Sequence, residues 1–553
     1  MANFKAKRIV ALLSLSILGS AVAGCSDNSP KDTASASSSA SSTSANSAQP
    51  SSSAASGPKY PASLSYWTVM DTDAAVSIKS YNEMGIYKEL EKRTGTKVEF
   101  QHPPAGEEQV KDQFNLMMAT GDLPDVMSYP WKANSPDKMI KNGKILRLNE
   151  IIEKYAPNLT KMLDDRPDLK RQLTSDEGNM YVFPFIGEDN PVFVFNGPFA
   201  RKDWLEKLNL KPPTTIAEWE AMLVAFRDGD PNGNGKKDEI PYFYRQTDYE
   251  TSFPFLGAYG LSSAFYQENG VVKYGPYDPK FKEYLSLMNK WYEMGLIDKD
   301  YLTSDVKIRD SKMLSDQIGA QTGWGGSGLG GYLQLKRQQD PNTKFSLIGL
   351  QFPSLNPGEL AVSSGAPTAQ WSGIGVAITT SAKNPEEIAS WLDYGYSQEG
   401  KILYNFGVEG ESYTVVNGKP TYTETITKNP NKLSITQALG MYTVVASDGP
   451  FQADEGADLQ WHPDPETQDA MRTWTKADHS KFMPSYLNSD EQARIASIMT
   501  DLRTYQYEMI NKFIMGAESL DKFDAYIATL KKLGIEEATK IYQTQYDRFM
   551  KKS

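Results

Sequence analysis

Leu64-Ser65-Tyr66-Trp67-Thr68-Val69-Met70 reads as a β-strand, rich in aromatic and β-branched residues. Glu83 to Arg93 reads as a helix with Ile86 and Leu90 on one face, and Gly95 ends it. Val98 and Phe100 then belong to a second strand. A crossover helix between neighbouring strands implies that they run parallel, so the chain opens its folded part as an α/β protein.

The same periodicity continues downstream. Thr215-Ile216-Ala217-Glu218 has the spacing of a capping box, and Trp219, Met222, Leu223 and Phe226 form the apolar stripe of the helix it starts. Ser489 and Gln492 read as a second capping box, ahead of Ile495, Ile498, Met499, Leu502, Tyr505 and Met509 at helical spacing. That long helix is expected to end near Gly516. Trp204, Trp291 and Trp391 also follow helical patterns and are assigned to the core. No internal repeat is evident.

Upstream, Lys5, Lys7 and Arg8 precede an apolar run from Ile9 to Leu18, broken only by Ser14 and Ser16. Such a run suits a secretory leader and is too short to span a bilayer comfortably. It closes in Ala21-Val22-Ala23-Gly24-Cys25, which resembles a lipobox with Val22 where Leu is usual. The expectation is a leader over 1–24 and acyl chains on Cys25, holding the protein at the outer face of the cell membrane. Cys25 is the only cysteine, which excludes an intrachain disulfide framework, cysteine metal sites and a thiol nucleophile in the folded part. From Ser26 to Pro58 the composition is Ser, Ala, Thr, Asn and Pro. A segment this polar cannot offset its chain entropy by burial and reads as a disordered tether reaching about 30 Å.

The remaining chain, with 39% apolar and 11% aromatic residues overall, has material for a substantial core and more than one domain. A formal charge of −11 with no basic run after the leader argues against nucleic acid. It also argues mildly against a polyanionic ligand. Three histidines, His102, His462 and His479, show no HExxH-like spacing, and no GxSxG elbow, phosphate loop or dinucleotide fingerprint occurs.

The order of six segments carries a resemblance: Gly121-Asp122-Leu123-Pro124-Asp125-Val126, Gly178 to Pro184, Arg201 to Leu205, Trp291 to Ile297, Ser372 to Ile378, and Tyr505 to Gly516. Each is weak alone, but together the chain resembles the large extracellular solute-binding lipoproteins of ABC importers, in the oligosaccharide- and alginate-binding branch. The resemblance implies a two-lobed periplasmic-binding-protein-like α/β fold with crossing hinge segments and extra C-terminal helices. It implies a first lobe over 59–190 with part of 365–440, and a second over 191–364 with part of 441–553. A sugar would lie in the cleft, lobe closure would follow binding, and membrane permease subunits would receive the closed form. A monomer is expected.

Asp228-Gly229-Asp230-Pro231-Asn232-Gly233-Asn234-Gly235-Lys236-Lys237-Asp238-Glu239 alternates oxygen-bearing side chains with glycines, as a loop curled around a hard cation requires. A register starting at Asp228 and ending on Glu239 fits, and so does one starting at Asp230. The pattern alone does not choose. The second register resembles the calcium loop of alginate-binding relatives and assigns Asp230, Asn232, Asn234, the Lys236 carbonyl, Asp238 and Glu239 to a structural Ca²⁺.

Sugar pockets pair flat aromatic rings with amides and carboxylates, and in open α/β sheets they lie beyond the carboxyl ends of strands. Trp67, Trp131, Trp324 and Trp371 have such positions, Tyr129 is a further candidate, and Asp125 is placed to bond a hydroxyl or to cap a helix. For each tryptophan a core position fits equally well. Trp324 stands in the glycine-rich stretch Gly323-Trp324-Gly325-Gly326-Ser327-Gly328, which reads as flexible. Three functions fit: the binding protein of an oligosaccharide importer, a polysaccharide-degrading glycosidase or lyase, and a glycan sensor or adhesin. Only the second requires catalytic residues, and none can be named.

Overall fold

A computed structural model describes residues 59–187, 194–245, 253–362, 371–445, 449–483 and 487–552. The leader, Cys25 and the tether lie outside the described residues.

The opening β–α–β unit forms as its pattern requires. The strands are β1 (Ser63–Trp67), β2 (Lys97–Gln101), β3 (Val126–Tyr129), β4 (Phe183–Pro184), β5 (Asn196–Arg201), β6 (Ile240–Phe243), β7 (Phe265–Glu268), β8 (Val271–Tyr274), β9 (Ile318–Trp324), β10 (Leu347–Gly349), β11 (Gly375–Ile378), β12 (Tyr413–Val416) and β13 (Lys419–Tyr422). β1 and β2 pair in parallel, and the helix Gly85–Thr94 between them buries Ile86 and Leu90 and ends on Gly95 in the left-handed conformation.

Two mixed sheets organise two lobes. The first has the order β2-β1-β3-β11-β4, with β3 parallel to β1 and β11 antiparallel to both β3 and β4. Its core draws on residues 64–186 and again on 371–451. A small satellite core around Phe406, Tyr422, Ile426 and Leu439 carries the β12–β13 hairpin, and Gly440 lies against Ala74 of this lobe. The second sheet has the order β10-β5-β9-β6, with β5 antiparallel to β9 and β6 parallel to it. Along β6 and just beyond it, Tyr242 and Tyr244 enter one core while Phe243 enters another, so this sheet is covered on both faces. The larger of those cores also takes side chains from the three C-terminal helices, Ser489–Ile514, Phe523–Lys532 and Ile535–Met550. No helix among the described residues is long and apolar enough to cross a membrane.

The helix Ile216–Asp228 begins at the reciprocal box formed by Thr215 and Glu218, and Trp219, Met222, Leu223 and Phe226 are buried. Trp204, Trp291 and Trp391 are likewise core residues. At the start of the long C-terminal helix the box is shifted by one residue from the sequence reading. Asn488 and Glu491 exchange the capping hydrogen bonds, each 3.0 Å. Asn caps as well as Ser, so both frames satisfy the sequence rule, and Glu491 has a second partner in Arg548 that only the tertiary fold supplies.

Candidate functional site

In the first lobe β1, β2 and β3 run the same way, and their carboxyl ends at Trp67, Gln101 and Tyr129 share one edge with Gly375 at the start of antiparallel β11. The chain leaving β3 turns through Trp131–Asn134, where the Lys132 amide donates to the Gly373 carbonyl at 3.3 Å. Beyond this edge lies a cavity of about 550 Å³. Lys132, Asp137 and Tyr181 line it from the first lobe, and Asn488, Asp490 and Lys552 from the second. A smaller space of about 200 Å³ adjoins it, bounded by Pro130, Lys132, Gly373 and Gln492. The lining combines carboxylates, amides, ammonium groups and a tyrosine, the donor and acceptor mix that recognises a polyhydroxylated ligand.

Lys132 is the most perturbed charge at this site. Burial, and secondarily the positive charge of Lys552, bring its ammonium down to a pKa of about 8, and it sits 5.7 Å from the centre of the Trp371 ring. The sequence reading named its neighbour Trp131 and passed over Lys132. The signal available was its position at a strand's carboxyl end.

The aromatic candidates divide sharply. Trp67 and Trp131 are fully buried, Trp371 is 2% exposed and Tyr129 8%. Tyr129 stacks on Phe114 at 3.8 Å, and Trp67 and Trp131 each lie 5.9 Å from Tyr129. The Trp371 indole N–H donates to the Ile374 carbonyl at 2.6 Å. These four rings are therefore corrected from ligand platforms to core beneath the cleft floor, because neighbours distant in sequence already cover their faces. Asp125 is corrected too. Its carboxylate accepts from the Ser65 amide and hydroxyl, so it joins β1 to β3 and neither faces the cavity nor caps a helix.

Trp324 is different. It ends β9 opposite Asn196 and is 59% exposed. The glycines after it have regular structure: Gly325–Gly330 forms a π-helical turn. A Cβ on Gly326 would lie 2.6 Å from the His462 ring and one on Gly325 3.1 Å from Met471, so close packing explains these two glycines. The structure brings Trp324 together with none of the other aromatic candidates.

The oxygen-rich loop leaves the helix Ile216–Asp228 through Asp230, which takes φ +46. Asp230 accepts from the amides of Asn234 and Gly235, Asn232 Oδ1 accepts from Asn234, and Asn234 Oδ1 accepts from Lys236 at 2.7 Å. Asn232 and Asn234 both donate to Asp238. Asn232 also donates to the carbonyl of Asp316, whose carboxylate pairs with buried Arg201 and with Lys336, tying the loop to the second lobe. One carboxylate oxygen of Glu239 is buried without a hydrogen-bond partner, and burial, together with Asp230 and Asp238, pushes its carboxyl up. Asp228 points elsewhere, held by Arg227 through two 2.8 Å bonds. Among the described residues no three His, Cys, Asp or Glu side chains already cluster in metal-binding geometry. The loop's fitness for a cation therefore rests on its amide and carbonyl oxygens and on the orphaned Glu239 oxygen.

Residues 76–402 match the family described as bacterial extracellular solute-binding protein, and the chain belongs to that family. It is an extracytoplasmic binding protein with a periplasmic-binding-protein-like fold, not an enzyme. Among curated relatives, the fructooligosaccharide ABC transporter substrate-binding protein FusA of Streptococcus pneumoniae serotype 4 is 26% identical over 516 residues, covering 87% of this chain and 90% of the relative. Lipoprotein LipO of Bacillus subtilis is 24% identical over 475 residues, covering 83% and 88%. Among solved structures, the alginate-binding protein AlgQ2 without calcium ion superposes with a TM-score of 0.62 at 26% identity, covering 89% of this chain and 99% of that one.

Proposed function

We propose that this protein captures an oligosaccharide between its two lobes and presents it to the permease subunits of an ABC importer. The observation that carries the reading is the 550 Å³ cavity walled by both lobes at the carboxyl edge of the first sheet, lined with carboxylates, amides and Lys132. The relatives support the ligand class, since one is named for fructooligosaccharides and a solved neighbour for alginate. Trp324, exposed but outside the lining of that cavity, would stack on a sugar face extending beyond it. A thermal-shift screen of neutral and acidic oligosaccharides, followed by calorimetry on the hits, tests this. Stoichiometric binding with the sugar recovered intact is expected, whereas turnover would support a glycosidase or lyase.

A calcium ion in the loop Asp230–Glu239 belongs to the same proposal. Asp230, Asn232, Asn234, the Lys236 carbonyl, Asp238 and Glu239 would hold it, and the engagement of Asp228 by Arg227 favours this register. When bound, the ion would neutralise the loop carboxylates and brace the second lobe. Calorimetry on chelator-stripped protein checks it. Absence of both calcium binding and a calcium-dependent rise in melting temperature would remove the ion from the proposal.

Anchoring completes the reading. The protein acts as a monomer held by acyl chains on Cys25, a reading that a lipoprotein among the relatives supports. Cys25→Ser should release it from membranes into the medium, and mass spectrometry of the wild-type N-terminus should show the lipid.

A further inference from the structure

The last helix of the second lobe, Ile535–Met550, ends against the first lobe. Asp176 stands in the turn after the first-lobe helix Pro167–Leu173, and its two carboxylate oxygens take Arg548 at 2.7 Å and Lys552 at 2.9 Å. Lys552 also donates to the Thr174 carbonyl at 2.9 Å, and Arg171 lies over the Phe549 ring at 5.9 Å. On the other side Arg548 holds Glu491 through two bonds of 2.8 and 2.7 Å, so the contact is braced by the first turn of the long helix. The Lys552 side chain is 9% exposed and those of Asp176 and Arg548 under a third, which places the pairs between the weak surface case and the costly interior case. Asp176, Thr174 and Lys552 are also cavity-lining residues.

We propose that Asp176, Arg548 and Lys552 form an ionic clasp that positions the two walls of the cleft, setting how much of the unliganded protein is closed. Core packing within each lobe does not depend on this contact, because the two cores are built from different residues. The clasp is a bistable element: its pairs form only when the lobes approach, and water replaces them when the lobes part. If the fraction of protein in the capture-competent arrangement falls, apparent affinity falls by the same factor. That consequence rests on the cavity being the capture site, whereas the clasp itself is read without ligand.

The test is a distance measurement on the unliganded full chain, with Cys25→Ser and spin labels on Lys161→Cys and Asp524→Cys, exposed positions on opposite lobes. Asp176→Asn should move or broaden the interlobe distance by more than about 2 Å, the scale of a hinge rearrangement. Asp176→Glu, which keeps the charge, should restore the wild-type distribution. Raising the salt to about 1 M, where screening reaches within about 3 Å, should move wild type and leave Asp176→Asn where it is. The salt arm needs no substitution at the clasp. An Asp176→Asn protein whose distance distribution matches wild type at both salt concentrations overturns the proposal and leaves sugar capture untouched.

Discussion

Ser65 and Asp125 exchange three hydrogen bonds: the Ser65 amide and hydroxyl each donate to Asp125 Oδ2 at 2.8 Å, and the Asp125 amide donates to Ser65 Oγ at 2.9 Å. Thr379 extends the link to β11 by donating its amide to the Asp125 carbonyl and its hydroxyl to that of Pro124. The carboxylate is thus committed to joining strands. Asp125→Ala should cost about 2–3 kcal/mol in urea unfolding, the range for losing hydrogen bonds to a charged group. Sugar affinity of the folded fraction should stay at the wild-type value.

Trp324→Ala should have the opposite signature. With more than half of the ring in solvent, the melting temperature should change little. Binding of the best oligosaccharide from the screen should weaken by about tenfold, as the loss of about 1.4 kcal/mol of stacking would produce. A large loss of stability with affinity intact would return the ring to a packing role.

Lys132 should reveal itself through pH. Its folded-state pKa is depressed from 10.5 to about 8, so it destabilises the fold fully below pH 8, and the cost disappears as the pH rises to about 10.5. Lys132→Met should therefore melt higher than wild type at pH 7, by about 2 °C or more, with the gain fading over that interval. Its oligosaccharide affinity should fall. Calorimetric scans from pH 7 to 10.5 read the first effect and titration calorimetry the second.

Glu268 gives the complementary acid case. Lys273 and Lys481 pair with it and hold its carboxyl down to about 2 from an ordinary 4.5. A depressed carboxyl contributes stability above pH 4.5 that is lost as the pH falls through 2. Glu268→Gln should be less stable than wild type at pH 7, and the two urea midpoints should converge toward pH 2. The side chain is 36% exposed, so added salt should shrink the gap.

What could be read in the sequence was what local chemistry decides. The crossover helix with its Ile86–Leu90 face, the Thr215–Glu218 box and the stripe after it depend on residues within a few turns, and the structure has them all. The site was less legible because an aromatic at a strand end has the same local pattern whether it faces core or solvent. Phe114, which covers Tyr129, comes from a separate helix, and nothing near Trp67 or Trp131 announces it. At Lys132 the one local signal is its position after a strand's carboxyl end, and its significance comes from Trp371 and Lys552, far along the chain. The shifted capping box has the same origin in a distant partner, Arg548.

The pairing of Ile186 with the segment Phe451–Ala453 has a mechanical meaning. The Ile186 amide donates to the Phe451 carbonyl, and the Ala453 amide donates back to Ile186 at 2.9 Å. Two strands of chain on their way to the second lobe, the outgoing one and a later one, are therefore laced together before they part. A single strap lets a lid twist as freely as it swings, whereas two straps fastened side by side resist torsion and favour rotation about one line. Lobes that open and shut, as the proposed capture requires, would return the same pair of walls to register.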